Sequence, residues 1–92
     1  MSELIEVGKN VVERGLAVGS GGNLSMLLPD RKQFLITATG SELDQLDQSS
    51  FALMDLDGNI AKGSAKPSSE HRVHLESYRT RKDINTCIHL HP

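Results

Sequence analysis

At 92 residues the chain has room for one small domain, and a domain of this size buries only somewhat over ~60% of the surface its unfolded chain exposes. Ten basic residues stand against twelve acidic ones, with no Lys/Arg cluster beyond Arg31-Lys32 and Arg79 to Lys82, which excludes the electrostatic footprint of a nucleic-acid binder. One cysteine excludes an intrachain disulfide and fits a reducing compartment; an acidic start and the lack of any apolar run beyond four residues predict a cytoplasmic protein with no membrane partner.

From Ser2 to about Arg14, Leu4, Ile5, Gly8, Val11, Val12 and then Leu16 recur at three- and four-residue steps, which predicts an amphipathic helix with Gly15 at its C-cap. Gly19-Ser20-Gly21-Gly22 follows. Two strand-like runs, Asn23 to Leu28 and Gln33 to Thr37, are joined by the turn composition Pro29-Asp30-Arg31-Lys32. A helical turn over Glu42 to Leu46 is expected to lead to a second hairpin, with arms Phe51 to Asp55 and Asn59 to Ala61 and Asp57-Gly58 in its turn. Pro67-Ser68-Ser69 supplies a turn residue and two hydroxyls ahead of a helix from about Ser69 to Arg79, whose inner side carries Glu70, His74 and Tyr78. Asp83 to His91 reads as the final strand. Helix, hairpin, hairpin, helix and strand together predict an α/β domain with a mixed sheet covered by helices, whose last strand leaves a backbone edge to be covered.

His89-Leu90-His91 lies in that strand. Side chains two apart share a face there, with Cα atoms roughly 6–7 Å apart, so two imidazoles can converge on one ion. Thr86, Ile88 and Leu90 supply the opposite, mostly apolar face. Cys87 shares the histidines' face but is too far from His91 to join one ion, and is expected to be a buried, inert thiol. Glu70 opens the helix that feeds this strand. A helix packed antiparallel on the strand that follows it sets its N-terminus near the strand's C-terminal end, which brings Glu70 toward His89 and His91. His74, one turn on, reads as a hydrogen-bonded core histidine, and Glu70 to His74 lacks the H-E-x-x-H order of a metalloprotease helix. Ser20 to Asn23, Thr39-Gly40-Ser41 and Ser68-Ser69 are three small-residue loops whose hydroxyls and amides are able to meet an anion, though neither a Walker loop nor a dinucleotide fingerprint is present. Asp55 to Asn59 reads as a hairpin turn, because Lys66 stands where a calcium loop needs its glutamate.

The ordered set Gly19-Ser20-Gly21-Gly22-Asn23-Leu24-Ser25, Thr39-Gly40, Lys66-Pro67-Ser68-Ser69-Glu70 and His89-Leu90-His91 resembles the N-terminal half of the class II aldolase/adducin family over nearly all 92 residues. The resemblance implies an α/β/α layered fold with a mixed, largely antiparallel central sheet, residues 1–92 forming the N-terminal portion of one domain. It also implies zinc or another divalent metal, a phosphorylated sugar substrate, and a homotetramer with active sites at subunit interfaces. By position, His89 and His91 would be metal ligands, with Glu70 both ligand and catalytic acid/base. Gly22, Asn23, Thr39, Gly40, Ser68 and Ser69 would hold the substrate phosphate. The implied reaction is reversible cleavage of a ketose 1-phosphate to dihydroxyacetone phosphate and an aldehyde. Ser-Ser joined to Glu resembles the aldolase branch, whereas leucine between the two histidines resembles the tetronate-phosphate decarboxylases. Alternatives within the family are an epimerase, dehydratase or decarboxylase, or a non-catalytic adducin-like scaffold. The family's third histidine ligand and an interface tyrosine correspond to positions beyond Pro92, so these 92 residues alone are expected to be inactive.

Overall fold

A computed structural model of the protein describes residues 2–16 and 22–90. Helix α1 (Ser2–Glu13) forms where the three- and four-residue apolar spacing predicts it, with Leu4, Gly8 and Val11 buried. Gly15 stops it in the left-handed region at φ 70, its amide on the Val12 carbonyl at 3.0 Å and the Leu16 amide on the Val11 carbonyl at 3.1 Å. Leu16 therefore leaves the apolar stripe and is half exposed. Gly8 is there for proximity: a Cβ at that position would come within 2.1 Å of the Leu43 carbonyl oxygen, so the helix lies directly on the loop that follows residue 42.

Among the described residues four strands, β1 (Gly22–Leu27), β2 (Gln33–Thr37), β3 (Phe51–Asp55) and β4 (Thr86–Leu90), form one sheet in the order β3-β2-β1-β4. All three pairings are antiparallel. Alternation along the strands sends Leu24, Leu35, Phe51 and Leu90 to the face covered by α1 and by Leu43 and Leu46. The other face carries Leu27, Phe34, Ile36, Ala52 and Met54 under Leu75 and Tyr78 of α2 (His71–Thr80). The layers are thus helix, sheet, helix. No helix is long and apolar enough to cross a membrane among the described residues.

Several local expectations are corrected. Residues 42–46 make a single turn, held as a loop because Leu43 and Leu46 are buried against α1. The helical turn comes later, as a 3₁₀ turn at Gln48–Ser50, because Asp47 caps it: its carboxylate accepts the Ser49 amide at 2.8 Å and its own amide donates to Ser50 Oγ at 3.0 Å. The second hairpin keeps β3 but reduces the returning arm to one bridge between Met54 and Ile60, since Ser64 Oγ accepts the Leu53 amide and ends the ladder. The turn itself is as expected: the Asp55 carboxylate is occupied by the amides of Asp57 and Asn59, both at 2.9 Å. The last strand begins at Thr86, because Asp83 is engaged by Arg81 in the preceding turn.

The feature that shapes the molecule lies at the end of β2. Pairing of β1 with β2 runs through Ser25 opposite Ile36 and stops there. A regular ladder would next put the Leu24 amide on the Thr37 carbonyl. Instead Leu24 donates to Thr37 Oγ1 at 3.2 Å, and the displaced Thr37 carbonyl accepts the Ser68 amide at 3.0 Å. The Thr39 amide then donates to the Lys66 carbonyl at 2.9 Å. Residues 33, 37 and 39 present their backbone groups to the same side of β2, the side on which Gln33 meets Leu28 of the β1 end. Residues 66–68 therefore take the place beside β2 that β1 vacates. Replacing Thr37 by valine keeps the shape but leaves the buried Leu24 amide without its acceptor, so urea denaturation of a Thr37→Val protein is expected to show a loss of about 1–3 kcal/mol, with Thr37→Ser retaining most of the stability. Unchanged stability in the valine variant would remove Thr37 from this role.

Candidate active site

In the sheet Asn23 of β1 lies opposite His89 of β4, and α2 crosses that face with its N-terminal end above both. Glu70 was expected inside the first helical turn. It is the residue before it, at φ −95 and ψ 17, and its side chain makes no capping hydrogen bond. The turn is closed by backbone instead, with the His71 amide on the Ser68 carbonyl and the Val73 amide on the Glu70 carbonyl, each at 3.0 Å. The Glu70 carboxylate turns inward, its Oε2 at 2.7 Å from His89 Nδ1 and its Oε1 accepting from Asn23 Nδ2 at 3.4 Å. An imidazole nitrogen facing a carboxylate oxygen pairs two donor types that zinc accepts, so this pair fits a metal centre. His91 lies outside the described residues, as do Gly19, Ser20 and Gly21. Among the described residues no group of three or more His, Cys, Asp or Glu side chains gathers around one point.

The opening between β1 and β2 is a cavity of about 150 Å³. Gly22, Asn23, Thr39, Gly40, Ser68 and Ser69, six residues taken from three separate motifs, all line it, and Glu70 stands at its edge. Ser41, part of the Thr-Gly-Ser motif, lines it too. Thr37 and Ala38 complete the wall and had no signal in the sequence, because their place follows from the parting of the strands. Gly40 turns in the left-handed region at φ 78. No lysine or arginine is among the lining residues. Any anion held here would meet hydroxyls, amides and the N-terminal end of α2. Ser68 Oγ already accepts the Glu70 amide at 3.2 Å, which fixes the carboxylate's backbone to the cavity wall.

Below the carboxylate runs a buried polar path. His74, fully buried, contacts Asn23 Oδ1 through Nε2 and Ser25 Oγ through Nδ1 at 2.6 Å; Ser25 Oγ in turn meets Tyr78 Oη at 2.6 Å. His74 is the hydrogen-bonded core histidine the sequence suggested. Ser25 and Tyr78 were not foreseen as its partners. Burial, helped by the nearby His89 and opposed by Glu70, pushes the His74 pKa down to about 4, and burial pushes Tyr78 up to about 12, so both are neutral near pH 7. Burial also raises the Cys87 thiol, which packs against the α2-side core as an unreactive side chain.

The family model described as Class II Aldolase and Adducin N-terminal domain matches residues 2–92. The chain belongs to the class II aldolase and adducin family. It is 45% identical over 89 residues to the L-fuculose phosphate aldolase of Methanocaldococcus jannaschii, covering 97% of this chain and 47% of that protein. It is 38% identical over 88 residues to the 3-oxo-tetronate 4-phosphate decarboxylase of Haemophilus influenzae, covering 96% of this chain and 41% of that protein. A solved L-fuculose 1-phosphate aldolase superposes with a TM-score of 0.88 at 41% identity, over 98% of this chain and 42% of the other. The chain thus spans less than half the length of these relatives, and what it shares with them is the layered class II aldolase fold.

The buried histidine makes this class II aldolase-type domain sensitive to acid. The His74 pKa falls from 6.5 to about 4 on folding, so between those values the unfolded state binds more protons than the folded one. Stability from this group is complete above about pH 6.5 and is lost as the pH falls toward about 4. By pH 4.5 the expected loss is about 2–3 kcal/mol. Denaturant titrations at pH 7 and 4.5 should show that extra loss in the wild type and not in a His74→Phe variant.

Proposed function

We propose that these residues form the N-terminal part of the active site of a metal-dependent sugar-phosphate aldolase, which reversibly cleaves a ketose 1-phosphate such as L-fuculose 1-phosphate to dihydroxyacetone phosphate and an aldehyde. The observation that carries this reading is that Ser68, Ser69 and Glu70 are consecutive. The hydroxyl-rich cavity and the carboxylate–imidazole pair are therefore walls of one site, set a few ångströms apart by the backbone.

In this reading Gly22, Asn23, Thr39, Gly40, Ser68 and Ser69 hold the phosphate through uncharged donors, which orients the sugar carbons toward Glu70. His89, His91 and Glu70 would hold a divalent metal, zinc by family resemblance, which supplies Lewis-acid polarisation of the substrate carbonyl when bound. Glu70 carries the proton between a substrate carbon and solvent, using the carboxylate that does no capping. Asn23 Nδ2 steadies that carboxylate from the β1 side. The same reading takes the chain as part of a homotetramer with sites at subunit interfaces, since the described residues supply one face of the site. A tetronate-phosphate decarboxylase is the second reading, supported by the 38% identity to the Haemophilus influenzae enzyme. Both reactions need a held phosphate and a polarised carbonyl.

Two measurements check the assignment. In a zinc-saturated protein that carries the whole family domain around these residues, Glu70→Gln is expected to lower kcat by on the order of 10²-fold or more while changing KM for the sugar phosphate little. An unchanged kcat would reduce Glu70 to a structural carboxylate. Assaying L-fuculose 1-phosphate cleavage beside decarboxylation of a 3-oxo-tetronate 4-phosphate separates the two readings directly.

A further inference from the structure

Asn23 and Ser25 point from the middle of a strand toward the protein interior, and α2 answers with His74 and Tyr78 where aliphatic residues would pack more simply. Four polar side chains, none more than 3% exposed, are joined end to end and terminate on Glu70. Their hydrogen bonds have a direction that both ends dictate. At the Glu70 end the carboxylate only accepts, so Asn23 must present its Nδ2 amide there and its Oδ1 to His74. A carbonyl oxygen at His74 Nε2 requires the ring to donate from that nitrogen. A neutral ring that donates from Nε2 accepts at Nδ1, so the Ser25 hydroxyl donates to it and accepts from Tyr78. At the far end the Tyr78 proton then has its acceptor in Ser25. Reversing the direction would point the Asn23 carbonyl at the carboxylate and leave the proton of a phenol only 1% exposed without that acceptor.

We propose that His74 is a positioning residue: its Nε2–H donates to Asn23 Oδ1 and so turns the Asn23 amide toward Glu70 and the cavity, with Tyr78 and Ser25 selecting that ring tautomer from behind. Neither His74 nor Tyr78 lines the cavity, so their effect on a ligand passes through Asn23. Without a donor at this point only the 3.4 Å contact to Glu70 is left to distinguish the Asn23 oxygen from its nitrogen. The consequence for ligand binding rests on the reading of the cavity as a phosphate site.

The test uses a protein that carries the whole family domain around these residues, labelled with ¹⁵N in its histidines. Long-range ¹H–¹⁵N spectra at pH 7 are expected to show His74 protonated at Nε2 and bare at Nδ1. A ring protonated at Nδ1, or at both nitrogens, overturns the proposal. Inorganic phosphate titrations then compare His74→Gln, which keeps an amide donor near the Nε2 position, with His74→Phe, which keeps bulk and removes the donor. Phosphate affinity is expected to fall about tenfold in His74→Phe and to be largely restored in His74→Gln, a split that loss of packing alone would not produce. Equal affinity in His74→Phe and wild type overturns the proposal. If His74→Phe does not fold, His74→Leu takes its place, with the same tenfold loss of phosphate affinity expected and equal affinity overturning the proposal. The tautomer is read without ligand. A wild-type ring protonated at Nε2 in a protein that binds no phosphate would overturn the cavity reading while supporting the positioning of Asn23.

Discussion

Thr37 Oγ1 accepts the Leu24 amide where a regular antiparallel ladder would use the Thr37 carbonyl, and that exchange sets the geometry around it. One residue thereby serves two strands: its hydroxyl closes β1, and its carbonyl is released to hold Ser68. The segment 66–68 slots in beside β2, the Ala38 and Pro67 backbones form a bridge, and α2 must begin just afterwards. Parting the strands leaves a gap lined by backbone and small side chains. It also fixes where Glu70 emerges, at the rim of that gap and against β4. The cavity and the carboxylate–imidazole contact thus share one origin in the sheet.

The polar interior beneath the site is tolerated because every member is partnered. Four buried polar side chains in a core this small would cost several kcal/mol if any were left unmatched. The path from Tyr78 through Ser25 and His74 to Asn23 satisfies each in turn, and the Phe34 ring packs on Tyr78 with centroids 5.3 Å apart, closing the apolar side. Stability and site geometry are coupled here. The contacts that keep His74 buried and uncharged also tie the β1 end to α2, so a proton on His74 would disturb the Asn23 contact beside Glu70.

Much of this architecture is legible in the sequence because it follows from short-range periodicity. The α1 stripe, Gly15 as its stop, the first hairpin and the alternating faces of β4 come from spacing alone, and the approach of Glu70 to His89 follows from packing a helix on the strand it feeds. Clustering of Gly22, Asn23, Thr39, Gly40, Ser68 and Ser69 around one cavity agrees with the family resemblance. What eluded the pattern is instructive. Asn23 and Ser25 alternate with Leu24 and Met26, which ordinarily marks the polar side as the solvent side. The clue lay on another element, where α2 carries His74 and Tyr78 on the face that must also bury Leu75. Thr37 gave no signal at all, since a threonine at a strand end has no feature to show that its hydroxyl replaces its own carbonyl. The 3₁₀ turn moved to Gln48–Ser50 because the Asp47 cap decides where the turn starts, and the burial of Leu43 and Leu46 keeps the earlier segment a loop.

Charge adds a last constraint on the proposed chemistry. The cavity has no cationic side chain in its wall, and it includes a carboxylate. A phosphate entering beside Glu70 would meet like charge, and the dipole of a ten-residue helix with a handful of hydroxyls offsets only part of that repulsion. On the carboxylate's other side stands His89, its Nδ1 at 2.7 Å from Oε2. On the proposed reading a divalent metal held by Glu70 and the histidines would offset the carboxylate's charge, so metal and phosphate would favour each other's binding. On that reading, uncharged donors with one carboxylate between the two subsites would make anion binding tighter when the cation is present.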